Sequence, residues 1–195
     1  PIKPEDELMW LEMFQNFSEE SIRYRFFQVI KDTPHETRIR YTNIDYDREI
    51  AIVPELTEDG KRKILGVVRV GLEPGGKSGE IAFIVADKYQ YLGLGTKMVD
   101  YAIEICKDMK VERLYAIMLP DNYRAIKLMK KMGFSVEYLD DGTAKATLDL
   151  GEEEKLECPE TPLQNVPSVE GHPQMGEQKA QPETQTKKPK ELVSV

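Results

Sequence analysis

The sequence predicts an α/β (α+β) domain over residues 1–150, and three features carry that expectation. Amphipathic helical patterns open the chain, and short apolar runs separated by Gly and Pro turns follow. A strand–helix–strand–helix unit with a final hairpin then closes the region.

The elements follow in order. Pro4 to Phe14 sets Leu8, Leu11, Met13 and Phe14 among acids, a short amphipathic helix entered through Glu5-Asp6-Glu7, where carboxylates favour the helix dipole. Ser18-Glu19-Glu20-Ser21 reads as a second helix start with Ser18 as N-cap and Ile22, Phe26, Val29 and Ile30 as the apolar stripe. Thr33-Pro34-His35-Glu36 has the form of a further start. Strand patterns then run over Glu49–Val53, Ile64–Leu72 and Gly79–Val85, with turns at Glu58-Asp59-Gly60 and Pro74-Gly75-Gly76. The third is mostly apolar and reads as central. Thr96 to Lys110 carries the clearest helical stripe, Met98, Val99, Ala102, Ile103, Cys106 and Met109. Leu114–Leu119 reads as strand and Asn122–Met132 as helix. Ser135–Leu139 and Ala144–Leu150 form a hairpin across Asp140-Asp141-Gly142.

Composition narrows the classes. The 195 residues are 40% hydrophobic and 32% charged, enough for a core with a solvated surface. No run approaches the roughly 20 apolar residues of a membrane helix, and no secretory leader pattern opens the chain. Two cysteines, Cys106 and Cys158, are too few for a disulfide scaffold, and His35 and His172 stand far apart, so a metal-free cytoplasmic protein is expected. The net charge of −8 disfavours general nucleic-acid binding and permits basic partners such as lysine-rich protein surfaces. Residue 1 is Pro, so the expectation is a processed chain or a segment of something longer.

From Gly151 onward there is no Phe, Tyr or Trp, and Pro recurs among Glu, Gln, Lys and Thr. Such a stretch cannot bury enough apolar area to offset its ordering entropy, so residues 151–195 are expected to be a disordered tail.

The most informative stretch is Gln90-Tyr91-Leu92-Gly93-Leu94-Gly95-Thr96, between a buried strand and the strongest helix. It is not a P-loop, since Gly95 precedes Thr96-Lys97 rather than Lys-Ser/Thr. It is not a dinucleotide fingerprint either, since Met98 stands where the third glycine belongs. Two glycines still admit close backbone approach, and a helix N-terminus favours an anion, for which pyrophosphate is the natural occupant. A tight turn that binds nothing remains the alternative at this level.

Gln90-x-x-Gly93-x-Gly95 resembles the Gln/Arg-x-x-Gly-x-Gly/Ala signature of the GNAT acetyltransferases. Asn122-x-x-Ala125-x-x-Leu128-Met129-x-Lys131-x-Gly133-Phe134 is similar to that family's second motif. Within the family, Ser18–Phe27 and Tyr41–Glu49 resemble the carboxy-terminal domain of Pat-type protein lysine acetyltransferases. The resemblance implies a GNAT fold, a central mixed, mostly antiparallel sheet flanked by helices. It implies acetyl-CoA as co-substrate, transfer to an amine, and a protein lysine as acceptor, acyl-CoA synthetases being among the candidates. It also implies an ADP-forming acyl-CoA-synthetase-like region upstream in the same polypeptide. A small-molecule amine, a protein N-terminus and a non-catalytic acetyl-CoA-sensing module remain alternatives.

The same resemblance assigns residues. Leu92, Gly93, Leu94, Gly95 and Thr96, with Gln90, would hold the pyrophosphate of coenzyme A. Ile84 and Val85 would pair with the pantetheine arm as with an added strand. Asn122 would contact the pantetheine or pyrophosphate side, a role compatible with helix capping. Glu80, ten residues before Gln90, matches the strand glutamate of histone and Pat-type enzymes and is expected to act as general base, its pKa raised by burial. Met129 stands where many relatives place the Tyr that protonates the departing thiolate. A thioether cannot donate a proton, so the thiolate leaves unassisted or Tyr123 substitutes.

Deleting residues 151–195 should leave the melting temperature within a degree or two of the full chain, since a segment without aromatic anchors adds little to a core. Differential scanning calorimetry of the two chains checks this.

Overall fold

The computed structural model describes residues 1–151, so the expected tail lies outside the described residues from 152 onward. A short 3-10 turn at Pro4–Asp6 leads into α1 (Glu7–Gln15), α2 (Glu19–Phe26) and α3 (His35–Thr42). Then come β1 (Glu49–Ile52), β2 (Glu55–Glu58), β3 (Lys61–Ile64), β4 (Gly66–Leu72) and β5 (Ser78–Val85). The chain continues through α4 (Leu94–Asp108), β6 (Arg113–Met118), α5 (Tyr123–Lys131), β7 (Ser135–Tyr138) and β8 (Ala144–Asp149).

Six strands form one mixed sheet in the order β1-β4-β5-β6-β8-β7, in which only β5 and β6 run parallel. Alternation along each strand feeds two apolar layers. Val68, Val70, Ile81 and Val85 pack with Met98, Val99, Ala102 and Met129 on the α4–α5 side. Ala51, Val67 and Ile84 pack with Trp10, Phe14, Phe17 and Ile22 on the α1–α2 side. Cys106 lies fully buried in the first layer, which pushes its thiol up to about 11 and makes it core.

Several boundaries differ from expectation. The run Ile64–Leu72 breaks at Leu65: Lys61–Ile64 turns back on Glu55–Glu58 as a separate two-stranded ribbon. That ribbon carries no apolar alternation to read. It is held by cross-strand charges, Arg62 Nε on Glu55 Oε2 at 3.0 Å and Lys63 Nζ on Glu58 Oε2 at 2.8 Å. Helix α2 stops at Phe26 because Phe27 turns left-handed (φ 58°), so Val29 is exposed rather than part of the stripe. In α1 the buried face is Trp10, Met13 and Phe14, and Leu8 points to solvent. Met109 lies just past the end of α4 and is exposed.

The capping expectation for Ser18 holds: its Oγ accepts from the Ser21 amide at 3.2 Å. The same hydroxyl donates to Asp87 Oδ1 at 2.6 Å, the Ser18 amide donates to Asp87 Oδ2 at 3.0 Å, and the Ser21 hydroxyl reaches Oδ1 at 2.9 Å. One carboxylate after β5 thus pins the first turn of α2 over that strand. Burial opposes the charge of Asp87, but the hydrogen bonds from Ser18 and Ser21 outweigh it and hold its pKa below the usual carboxylate value. Its stabilisation is therefore present above the ordinary value of about 4 and fades as pH falls through the lower folded one. Asp87→Ala should cost about 1–2 kcal/mol in urea unfolding at pH 7. The gap from wild type should begin to narrow only below about pH 4.

Candidate active site

The site is built where β5 and β6 stop pairing. Their register runs Ser78↔Arg113, Gly79↔Leu114, Glu80↔Tyr115 and goes no further, while β5 stays on β4 as far as Val85↔Gly66 and β6 stays on β8 as far as Met118↔Ala144. Each strand is thus fixed on its outer side and open on its inner side. Gly66 keeps the first arrangement possible, since a Cβ there would stand 2.6 Å from the Ile84 carbonyl oxygen.

A cavity of about 350 Å³ fills the gap. Ile81 to Val85 and Ala116 to Met118 form its walls, the Gln90–Thr96 loop one end, Asn122, Arg124 and Leu128 of α5 another side, and Ser21, Tyr24 and Arg25 of α2 its cover. Ala82 and Phe83, expected to be buried, are only half-buried because they face this space.

The glycine loop has the geometry its sequence implies. Gly93 takes φ 81° with a left-handed backbone, and α4 begins directly after it. Gly95 lies flat against α5, where a Cβ would stand 3.2 Å from Leu128 Cδ1. Among the described residues, the first amide after Gln90 to bond a loop carbonyl is that of Lys97, on Gly93 O at 3.2 Å. The amides of Leu92 through Thr96 therefore point at no protein acceptor. No acidic side chain occupies the first turn of α4 or of α5, so both positive helix ends face the cavity uncompensated.

The remaining sequence candidates divide. Gln90 is a brace: its Nε2 donates to Val85 O at 3.0 Å and to the Ser21 hydroxyl at 3.1 Å. Asn122 lines the cavity and caps α5, its Oδ1 accepting from Ala125 N at 3.2 Å. Ile84 and Val85 lie on the open edge of β5. Tyr123 is exposed and lies outside the cavity lining, and Met129 is buried behind it.

Glu80 occupies the last paired position, one residue before the cavity begins, but the expected burial is not there. The side chain is exposed because alternation turns it, with Ala82 and Ile84, to the α2 side, beyond the apolar packing that holds Ile81. Arg69, the neighbour that could have neutralised it, is instead buried against Glu49, with Nη1 on Oε1 at 2.6 Å, and also donates to the Tyr41 carbonyl. Tyr24, Arg25 and Arg124 were not singled out from the sequence. Tyr24 and Arg25 sit within the α2 stretch that carries the family resemblance, and Arg124 falls at a variable position of the second motif, but none of the three was given a role there.

The profile of the Acetyltransferase (GNAT) family matches residues 10–134. The chain belongs to this family. It is an acetyl-CoA-dependent N-acetyltransferase, and acetyl-CoA is its co-substrate. It is 25% identical over 134 residues to the acetyltransferase PA5475 of Pseudomonas aeruginosa, covering 69% of this chain and 72% of that protein. Among solved structures, the GNAT domain of S. lividans PAT superposes with a TM-score of 0.69 at 23% identity, covering 76% of this chain and 88% of that one. The spermidine N-acetyltransferase of Vibrio cholerae, solved with CoA and spermine, superposes at 0.61 and 16% identity, covering 76% and 92%. Among the described residues there is no helix long and apolar enough to cross a membrane.

Substituting Gly93 or Gly95 by Val should weaken acetyl-CoA binding at least tenfold in calorimetry. At position 93 a branched side chain resists the left-handed backbone, and at 95 it presses into Leu128. Unchanged affinity in both variants would take the loop out of the site.

Proposed function

We propose that this acetyltransferase moves the acetyl group of acetyl-CoA directly to a protein lysine, with Glu80 as general base. Acyl-CoA synthetases are the first proteins to test as substrates, and a cytoplasmic location belongs to the same proposal. The observation that carries the mechanism is the position of Glu80: a solvent-open carboxylate, without an ion-pair partner among the described residues, at the closed end of the cavity.

Acetyl-CoA would lie with its pyrophosphate on the free amides from Leu92 to Thr96 and its pantetheine arm along Ile84 and Val85, which brings the thioester toward the end near Glu80. A lysine amine has a pKa of about 10.4, and only its free base attacks a thioester. Because Glu80 is open to solvent, a water between the amine and the carboxylate is the natural proton path. The amine nitrogen bonds to the thioester carbonyl carbon, the tetrahedral intermediate collapses, and the C–S bond breaks to release CoA thiolate. With a thiol pKa of about 8.5 that group leaves without an acid, consistent with Met129 in place of a tyrosine.

Arg25 favours a second reading. Its guanidinium lines the cavity on the α2 side, has no carboxylate bonded to it among the described residues, and is depressed in pKa mainly by burial. A cation there suits a small amine that carries its own carboxylate. Mass spectrometry of lysate proteins and of an amino-acid panel, each incubated with enzyme and acetyl-CoA, separates the two.

Glu80→Gln should lower turnover by roughly 10²–10⁴-fold while acetyl-CoA affinity stays close to wild type. The rise of turnover with pH should then keep only the limb set by the amine. A variant that retains most activity at neutral pH excludes Glu80 as the base.

A further inference from the structure

Arg124, the second residue of α5, stands beside the glycine loop and lines the cavity, with its guanidinium stacked 5.2 Å above the ring of Tyr91. Tyr91 is itself unusual: a bulky residue with left-handed backbone (φ 63°), highly exposed, at the second position of the loop. Such a conformation costs energy and persists where it places something. Here it places an aromatic platform under a cation at the mouth of the anion site.

The partners of that cation are provisional. Arg124 Nη1 donates to Gln90 Oε1 at 3.2 Å, and Nη2 meets Glu20 Oε2 of α2 at 3.3 Å, both longer than a well-formed charge-assisted bond. Arg124 and Glu20 are each about half exposed, so the pair contributes little to stability. A phosphate offers the planar fork what a single exposed carboxylate oxygen does not, two oxygens and a higher charge.

We propose that Arg124 is a ligand for a phosphate group of coenzyme A, held in reserve by Glu20 and released from it when the coenzyme binds. The exchange joins the two substrate sides, because the same step that binds phosphate removes one tie between α5 and α2, the helix that covers the cavity, while Arg23 of α2 keeps its 2.9 Å pair with Asp121 just before α5. The phosphate is either the pyrophosphate on the loop or the ribose 3′-phosphate. The proposal rests on acetyl-CoA as co-substrate, which wild-type binding tests separately.

Calorimetry with CoA and with dephospho-CoA, on wild type, Arg124→Gln, Glu20→Gln and the double variant, tests the exchange. Arg124→Gln should weaken CoA binding about tenfold, the lower end for a charged hydrogen bond because the group is half exposed. If dephospho-CoA suffers the same loss the ligand is the pyrophosphate, and if it suffers none the ligand is the 3′-phosphate. Glu20→Gln should tighten CoA about threefold, the scale of an exposed ion pair. That gain should vanish in the double variant. A gain in affinity cannot come from misfolding, so the Glu20 arm stands even if Arg124→Gln proves unstable. Unchanged affinity of Arg124→Gln for both ligands overturns the assignment. Weaker binding by Glu20→Gln, or a gain that persists without Arg124, overturns the exchange.

Discussion

Two parallel strands that pair for three positions and then separate govern the rest of the molecule. Beyond Glu80 and Tyr115, β5 is held by β4 and β6 by β8, so the sheet is two half-sheets hinged at one end. The unsatisfied inner edge of β5 would be costly if buried dry. It is tolerated because the gap is wide enough for a ligand or water and because Gln90 returns to cover one group, the carbonyl of Val85. An extended chain with amides of its own, as a pantetheine arm is, can complete that edge with the bonds a strand would make.

The electrostatics follow from the same geometry. Helices α4 and α5 both begin at the wide end of the opening, neither with an acid in its first turn, and Glu20 of α2, which reaches the same end, is met there by Arg124 of α5. Anionic phosphates are therefore favoured at the wide end, while the carboxylate of Glu80 marks the closed end. A substrate with negative phosphates at one end and a neutral thioester at the other meets a site polarised in the same sense. This holds although the chain as a whole carries −8, which shows how little net charge says about a local field.

The fold was legible where apolar periodicity or turn chemistry carried it. The stripe of α4, the Ser18 cap, the central position of β5 and the final hairpin were all readable from residue spacing. The β2–β3 ribbon was not, because exposed Glu, Arg and Lys pairs stabilise it and such residues alternate without an apolar signal. The glycine loop could be read because Gly93 and Gly95 answer to backbone constraints that only glycine meets without strain. The exposure of Glu80 could not, since an apolar run such as Ile81–Val85 does not say which of its faces a helix leaves open. Arg25 and Arg124 were missed for a related reason: each reaches the cavity from a helix distant in sequence, and a lone arginine on a helix reads as surface.

The most direct measurement of the central claim, that coenzyme binds in the opening between β5 and β6, is hydrogen exchange followed residue by residue with and without acetyl-CoA. Slowed exchange should appear in two stretches far apart in sequence, the loop amides from Leu92 to Thr96 and the β5 edge from Ile81 to Val85. The outer strands β1 and β7 should be unchanged. Protection that spares both stretches while acetyl-CoA is bound would place the coenzyme elsewhere and contradict the claim.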